Sequence, residues 1–289
     1  MRANLAIFST PKDGSTEEEY EDAACCLPEP TNEGEVSADL LRVAVADGAS
    51  ESLLANRWAR LLTHEFTNSQ ISAVLRPHEF AAASLAAATT WDETMAAYVD
   101  ERVARGKPIM WYEQPGFDRG AYATLIAVCF GDADSGRSGA DHAHNPHDSG
   151  GHGASANDQL MPWHAAAIGD SCLFQVRDDR LAKAFPMDAS MQFGTNPDLL
   201  CSRGLDERLV ADRARFDSGA CQEGDTFFLC TDALAAWFLS RYEAGHSPWA
   251  ELTDLGSAEI PAFSEWVAAQ RSAGLMRNDD VTLVRVDIW

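Results

Sequence analysis

Positive charge is scarce in this chain: 22 Lys and Arg stand against 45 Asp and Glu, a formal charge of -23 over 289 residues. No basic cluster relieves the imbalance, so a phosphate backbone would be repelled and nucleic-acid binding is not expected. Long apolar runs are also missing, with none near the ~20 residues needed to span a bilayer. The opening Met1-Arg2-Ala3-Asn4-Leu5-Ala6-Ile7-Phe8 lacks the apolar core and cleavage site of a signal peptide. The expectation is a cytoplasmic protein with no membrane partner. The seven cysteines, at 25, 26, 129, 172, 201, 221 and 230, form neither a zinc spacing nor a disulfide framework. Cys129, Cys172 and Cys230 lie inside apolar runs and read as small buried hydrophobes, and Cys25-Cys26 reads as strand packing, with a reactive pair as the alternative. Neither an internal repeat nor a dividing linker occurs, so residues 1–289 read as a single domain, and nothing in the sequence sets an oligomeric state.

What is there is enough for a sizeable core: 46% hydrophobic and 9% aromatic residues mark a globular chain. β-type runs are expected at residues 4–8, 23–27, 40–46, 121–130, 163–168, 171–177, 181–185 and 281–286, with Asp178-Asp179 as a hairpin turn, and 224–234 reads as a turn, a buried strand and an acidic strand end. Leu54, Trp58, Leu61, Leu62 and Phe66 recur at helical spacing over 52–67, with Ser50 or Ser52 as N-cap. Phe80, Leu85, Trp91, Met95 and Tyr98 mark a second helix over 79–104 whose aromatics belong to the core. Further helices are expected after residue 232 and over 258–274, and residues 188–220 read as an irregular flap.

Between Phe130 and Trp163 the composition changes. The insertion at 131–161 is rich in His, Gly and Asp and has almost no large apolar residue, so it cannot offset the cost of ordering its backbone and reads as a disordered loop. His142, His144, His147 and His152 within it allow a metal-binding reading.

The chemistry-bearing pattern is a set of acidic residues at strand ends. Val43-Ala44-Val45-Ala46 stops at Asp47-Gly48, which alone is first of all a turn signature. Asp22, Asp170, Asp232 and Asp279 adjoin β-type runs in matching contexts. If those strands share one pair of sheets, their ends can meet, and carboxylates gathered without Cys or His call for hard cations with oxygen ligands, Mg²⁺ or Mn²⁺. Such a cluster repels itself unless cations occupy it.

The ordered series Glu21-Asp22-Ala23, Val45-Ala46-Asp47-Gly48, Gly120-Ala121-Tyr122-Ala123, Ile168-Gly169-Asp170-Ser171, Leu229-Cys230-Thr231-Asp232-Ala233-Leu234 and Asp279-Asp280-Val281-Thr282-Leu283 resembles the motifs of the metal-dependent serine/threonine protein phosphatases of type 2C, in the bacterial style. The resemblance implies an α+β fold, a four-layer α-β-β-α sandwich of two antiparallel sheets flanked by helices, with a two-metal site at one end. By the same resemblance Asp47 bridges both Mg²⁺ or Mn²⁺ ions, Gly48 lends its carbonyl, Asp232 and Asp279 complete one shell, Glu21 and Asp22 act through bound water, and Asp170 matches a third, looser metal position. The implied activity is hydrolysis of phosphoserine or phosphothreonine in a phosphorylated protein substrate, by a water made acidic between two cations that attacks phosphorus in line.

Departures from that pattern define the alternative. The family's phosphate-holding Arg is Glu17 here, leaving Lys12 as the nearby cation for phosphate binding. The His after Asp-Gly is Ala49, Ala233 replaces a Gly, and Asp280 replaces an Asn and adds charge beside the metals. A weakened or inactive relative that binds and regulates a phosphoprotein partner is the alternative reading; a metal buffer built on the His-rich loop is a third.

Overall fold

The computed structural model describes residues 1–131, 160–194, 196–255 and 260–289. The strands, in chain order, are β1 (Arg2–Thr10), β2 (Ala23–Leu27), β3 (Glu35–Ser37), β4 (Leu41–Ala46), β5 (Tyr122–Ala123), β6 (Leu125–Phe130), β7 (Met161–Ile168), β8 (Cys172–Arg177), β9 (Arg180–Phe185), β10 (Leu200–Cys201), β11 (Arg215–Cys221), β12 (Thr226–Cys230) and β13 (Val281–Ile288). The helices are α1 (Ala55–Asn68), α2 (Pro77–Ala104), α3 (Gln114–Arg119), α4 (Glu207–Arg213), α5 (Asp232–Glu243), α6 (Pro248–Asp254) and α7 (Ile260–Ser272).

Two antiparallel sheets carry the architecture, ordered β3-β1-β13-β12-β8-β9 and β11-β7-β6-β4-β2. Central strands β4, β6 and β12 read as nearly continuous apolar runs because both their faces are covered. In β4, Val43 and Val45 enter the layer between the sheets with Ile126, Phe130, Trp163, Phe227 and Val284. Ala44 and Ala46, on the opposite face, meet Trp58, Leu62, Phe80 and Trp91 of α1 and α2. In β12, Phe227 and Leu229 point to the middle layer, whereas Phe228 and Cys230 point outward to Trp237, Phe238 and Phe263 of α5 and α7. Three apolar seams thus separate four layers, the α-β-β-α sandwich that the motif series implies. Phe174 stacks on Phe238 with centroids 4.1 Å apart, and each such side chain contributes about 1.5–3 kcal/mol by leaving water.

Several local expectations are corrected. The strand read over 121–130 divides at Thr124: β5 leaves the sheet to pair with β10, while β6 stays in it. The flap read over 188–220 contains α4, capped by the Asp206 carboxylate on the Leu209 N–H, and β11, which pairs with β7. Mixed small and polar residues in β11 hid its period, because it is an edge strand with half its residues near solvent. Neither Ser50 nor Ser52 caps α1. Leu54 takes that position in the left-handed region at φ 63°, while Ser52 donates to the Ala49 carbonyl and accepts from the Tyr122 N–H. Leu85 is solvent-facing on α2, and α6 was not read from the sequence. All seven cysteines are free thiols; Cys129, Cys172 and Cys230 are buried, as expected of small hydrophobes. Asp178 and Asp179 form the hairpin turn with φ of 50° and 55°. The histidines of the 131–161 insertion lie outside the described residues. Among the described residues no helix is long and apolar enough to cross a membrane.

Candidate active site

Strand register explains how remote acidic residues meet. Ala23 of β2 pairs with Ala46 of β4, so Asp22 and Asp47 leave adjacent strands at the same end of one sheet. In the other sheet Cys230 of β12 pairs with both Cys172 of β8 and Leu283 of β13, which brings Asp232, Asp170 and the Asp279-Asp280 pair to the same end. Because the sheets pack face to face, these ends open into one cavity of about 760 Å³. Asp47, Gly48, Asp170, Asp232 and Asp279 all line it.

Each acidic group is held by its own local device. The Asp47 N–H donates to Thr124 Oγ1 at 3.3 Å and its carbonyl accepts from the Thr124 N–H at 2.9 Å, while Thr124 Oγ1 meets Ser171 Oγ at 2.7 Å. Gly48 must be glycine for space: a Cβ there would stand 2.6 Å from the Glu21 carbonyl oxygen and 2.9 Å from Ala55 Cβ. Asp22 is buried, and its Oδ2 accepts from the Thr282 hydroxyl at 2.9 Å, a bond that ties the two sheets together at the site. Arg271 lies behind Asp279: its guanidinium donates to the Asp279 carbonyl, to the Pro11 carbonyl and to Asp13 Oδ1.

Electrostatics show how costly this assembly is. Burial, followed by the charges of Asp22, Asp232, Asp279 and Asp170, holds the Asp47 carboxyl well above the usual range. Burial also raises Asp22 well above that range, with the Thr282 hydroxyl opposing. Asp170 is pushed up to about 7 by burial and then by Asp232. Asp232 is raised by burial, against the pull of Arg277, whose Nη2 stands 3.3 Å from Asp232 Oδ2. Among the described residues, no three acidic, imidazole or thiol groups close on one point as a finished cage. The carboxylates line a cavity instead, and their mutual repulsion falls when a cation is bound among them.

The structure separates the remaining sequence candidates. Glu21 and Lys12 face an adjoining pocket, not the main cavity. Lys12 Nζ is held there by Glu21 Oε2 at 3.0 Å and Ser50 Oγ at 2.8 Å, so it is already spent on protein partners. Asp280 is corrected most clearly. It does not add a charge aimed at the cavity: it is buried, its Oδ1 accepts from the Lys12 N–H and its Oδ2 from the Glu21 N–H, each at 2.8 Å. Ala233 sits in the first turn of α5 and is not among the residues with positive φ, so nothing there demands the family's Gly. Sequence reading missed Arg119 and Arg277, which line the cavity.

No protein-family model matches the chain, and no curated protein matches it. Solved structures do. The chain is similar to the Mycobacterium tuberculosis serine/threonine phosphatase PstP/Ppp, with 15% identity, 100% of this chain and 99% of that one covered, and a TM-score of 0.51. It is also similar to a bacterial serine phosphatase, with 11% identity, coverage of 99% and 97%, and a TM-score of 0.53. At such identities the likeness establishes a common fold.

Proposed function

We propose, with that common fold as premise, that the chain is a metal-dependent phosphatase hydrolysing phosphoserine and phosphothreonine monoesters in proteins. The observation that carries the reading is a set of buried carboxylate oxygens without any hydrogen-bond partner: Asp22 Oδ1, Asp170 Oδ1 and Asp232 Oδ1, at one end of the two sheets. Buried unpaired charge is expensive, and an oxygen-only donor set suits Mg²⁺ or Mn²⁺. Asp47, Asp232 and Asp279, with the Gly48 carbonyl, would hold two cations, and Asp170 would serve a third. When bound, the cations supply an acidified water and neutralise charge on the phosphoryl oxygens.

The chain's own groups do the rest. Thr124 fixes the Asp47 backbone from both sides, so its carboxylate enters the cavity at a set angle. Thr282 orients Asp22 behind it, leaving one oxygen free. The cavity admits a side chain carrying a phosphate, and the named activity of the two structural neighbours supports serine and threonine phosphoesters as the class. Ala49 follows Asp47-Gly48 and cannot protonate the leaving oxygen; unless water or another residue lining the cavity delivers that proton, a rate lowered by roughly 10² to 10⁴ relative to an acid-assisted site is expected.

The test is Mn²⁺-dependent hydrolysis of an aryl phosphate and a phosphothreonine peptide by the wild type, Asp47→Ala and Asp232→Ala. Activity in the wild type that both changes abolish is the expected result. A wild type that binds Mn²⁺ and hydrolyses neither compound would overturn the enzymatic reading in favour of a phosphoprotein-binding regulator.

A further inference from the structure

The cavity poses a problem that its acidic residues cannot solve. A phosphomonoester is a dianion, and it must settle among several carboxylates. Glu17 is an acidic residue in the sequence and Lys12 is engaged by Glu21 and Ser50 in the adjoining pocket, so neither offers a cation. Arg119 and Arg277 both line the main cavity. Of the two, Arg277 is the one tied to a site carboxylate, through a single Nη2 contact to Asp232 at 3.3 Å, with its side chain about half exposed. A guanidinium carries five N–H donors in a planar fork, so one such contact leaves donors available to a second anion.

We propose that Arg277 is the phosphate-binding residue of this chain, held on Asp232 until a cation takes that carboxylate and then free to grip the substrate's phosphoryl oxygens. This rests on the proposed phosphatase reading and adds to it a specificity-determining group on the 273–280 connection rather than in the N-terminal loop. The exchange follows from charge. A divalent cation on Asp232 takes over the neutralising role of Arg277, and the released guanidinium, already on the wall of the cavity, is drawn to the negative charge of a phosphate there. The planar fork suits a phosphate; an ammonium at the same place would supply a point charge without the paired bonds.

The inference makes two effects of opposite sign, which a merely structural residue would not produce. In Arg277→Ala, Mn²⁺ affinity rises several-fold, because Asp232 loses its competitor. Affinity of the Mn²⁺-loaded protein for inorganic phosphate falls about 10- to 100-fold, the range for losing a charge-assisted hydrogen-bonded contact. Arg277→Lys falls between the wild type and Arg277→Ala in phosphate affinity, and Lys12→Ala leaves it unchanged. All are read by titration calorimetry with MnCl₂ and then with inorganic phosphate, alongside circular dichroism to confirm the fold. Mn²⁺ affinity that falls in Arg277→Ala, or phosphate affinity that does not change, overturns the proposal. Phosphate binding needs no turnover, so a wild type that binds phosphate through Arg277 yet hydrolyses nothing sinks the catalytic reading and leaves this one standing.

Discussion

Replacing Asp170 with Asn should make the metal-free protein more stable, not less. Asp170 is 3% exposed, its Oδ1 has no partner, and burial followed by the charge of Asp232 lifts its carboxyl to about 7. In the unfolded chain it returns to about 4. Because the native state holds the proton more tightly, the carboxyl costs nothing below pH ~4, progressively more as pH rises to about 7, and a constant amount above that. A shift of roughly three units corresponds to a limit of about 4 kcal/mol at pH 8. The buried amide that replaces it recovers only part of this, since it too is desolvated, so a gain of ~1–3 kcal/mol is expected. At about 2–4 °C per kcal/mol for a chain of this class, the variant should melt several degrees above the wild type at pH 8, and the two curves should converge near pH 4. The assay is thermal melting by circular dichroism in chelator across pH 4 to 8.5, repeated with saturating Mn²⁺, which should narrow the gap by stabilising the wild type more. A variant no more stable than wild type at pH 8, or a difference independent of pH, would refute the claim that these carboxylates are stranded without a cation.

Other consequences can be measured in the same way. Asp280→Asn, though it restores the residue usual in the family, removes one of two oxygens that accept the Lys12 and Glu21 N–H groups; it should cost ~1–3 kcal/mol in urea unfolding, and a neutral result would contradict the assigned role. Gly48→Ala places a methyl against the Glu21 carbonyl and Ala55, so it should destabilise by ~1–3 kcal/mol and weaken Mn²⁺ binding in calorimetry, since the Asp47 loop must move. Asp225→Ala removes the counter-charge of Arg177, which reaches both Asp225 oxygens at 2.7 and 2.6 Å, and one of two acceptors of Gln175, leaving each with the Ala220 carbonyl; a loss of ~3–5 kcal/mol with Mn²⁺ affinity intact is expected, because this cluster lies away from the cavity.

Much of the site was legible because it sits where periodicity ends. Val43-Ala44-Val45-Ala46 and Phe227-Phe228-Leu229-Cys230 are apolar on both faces, and the first carboxylate after each, at Asp47 and Asp232, falls where the strand leaves the core. Register then carries them together, which the sequence permits but does not display. Three kinds of feature were hidden. Edge strand β11 carries Arg215, Asp217, Ser218 and Gly219, a composition indistinguishable from loop without its partner β7. Asp280 looks like one more metal-facing acid until the backbone N–H groups of Lys12 and Glu21, more than 250 positions earlier, are seen to converge on it. Arg277 belongs to a loop with no period and Arg119 ends the short helix α3, so their place in the cavity is a product of tertiary folding.

Mn²⁺-soaked crystals measured at the manganese absorption edge test the central claim most directly. The account predicts anomalous density for two cations in the cavity, both touching Asp47 and one also bound by Asp232 and Asp279. Density confined to the surface, or a cavity that stays free of manganese at saturating concentration, would contradict it.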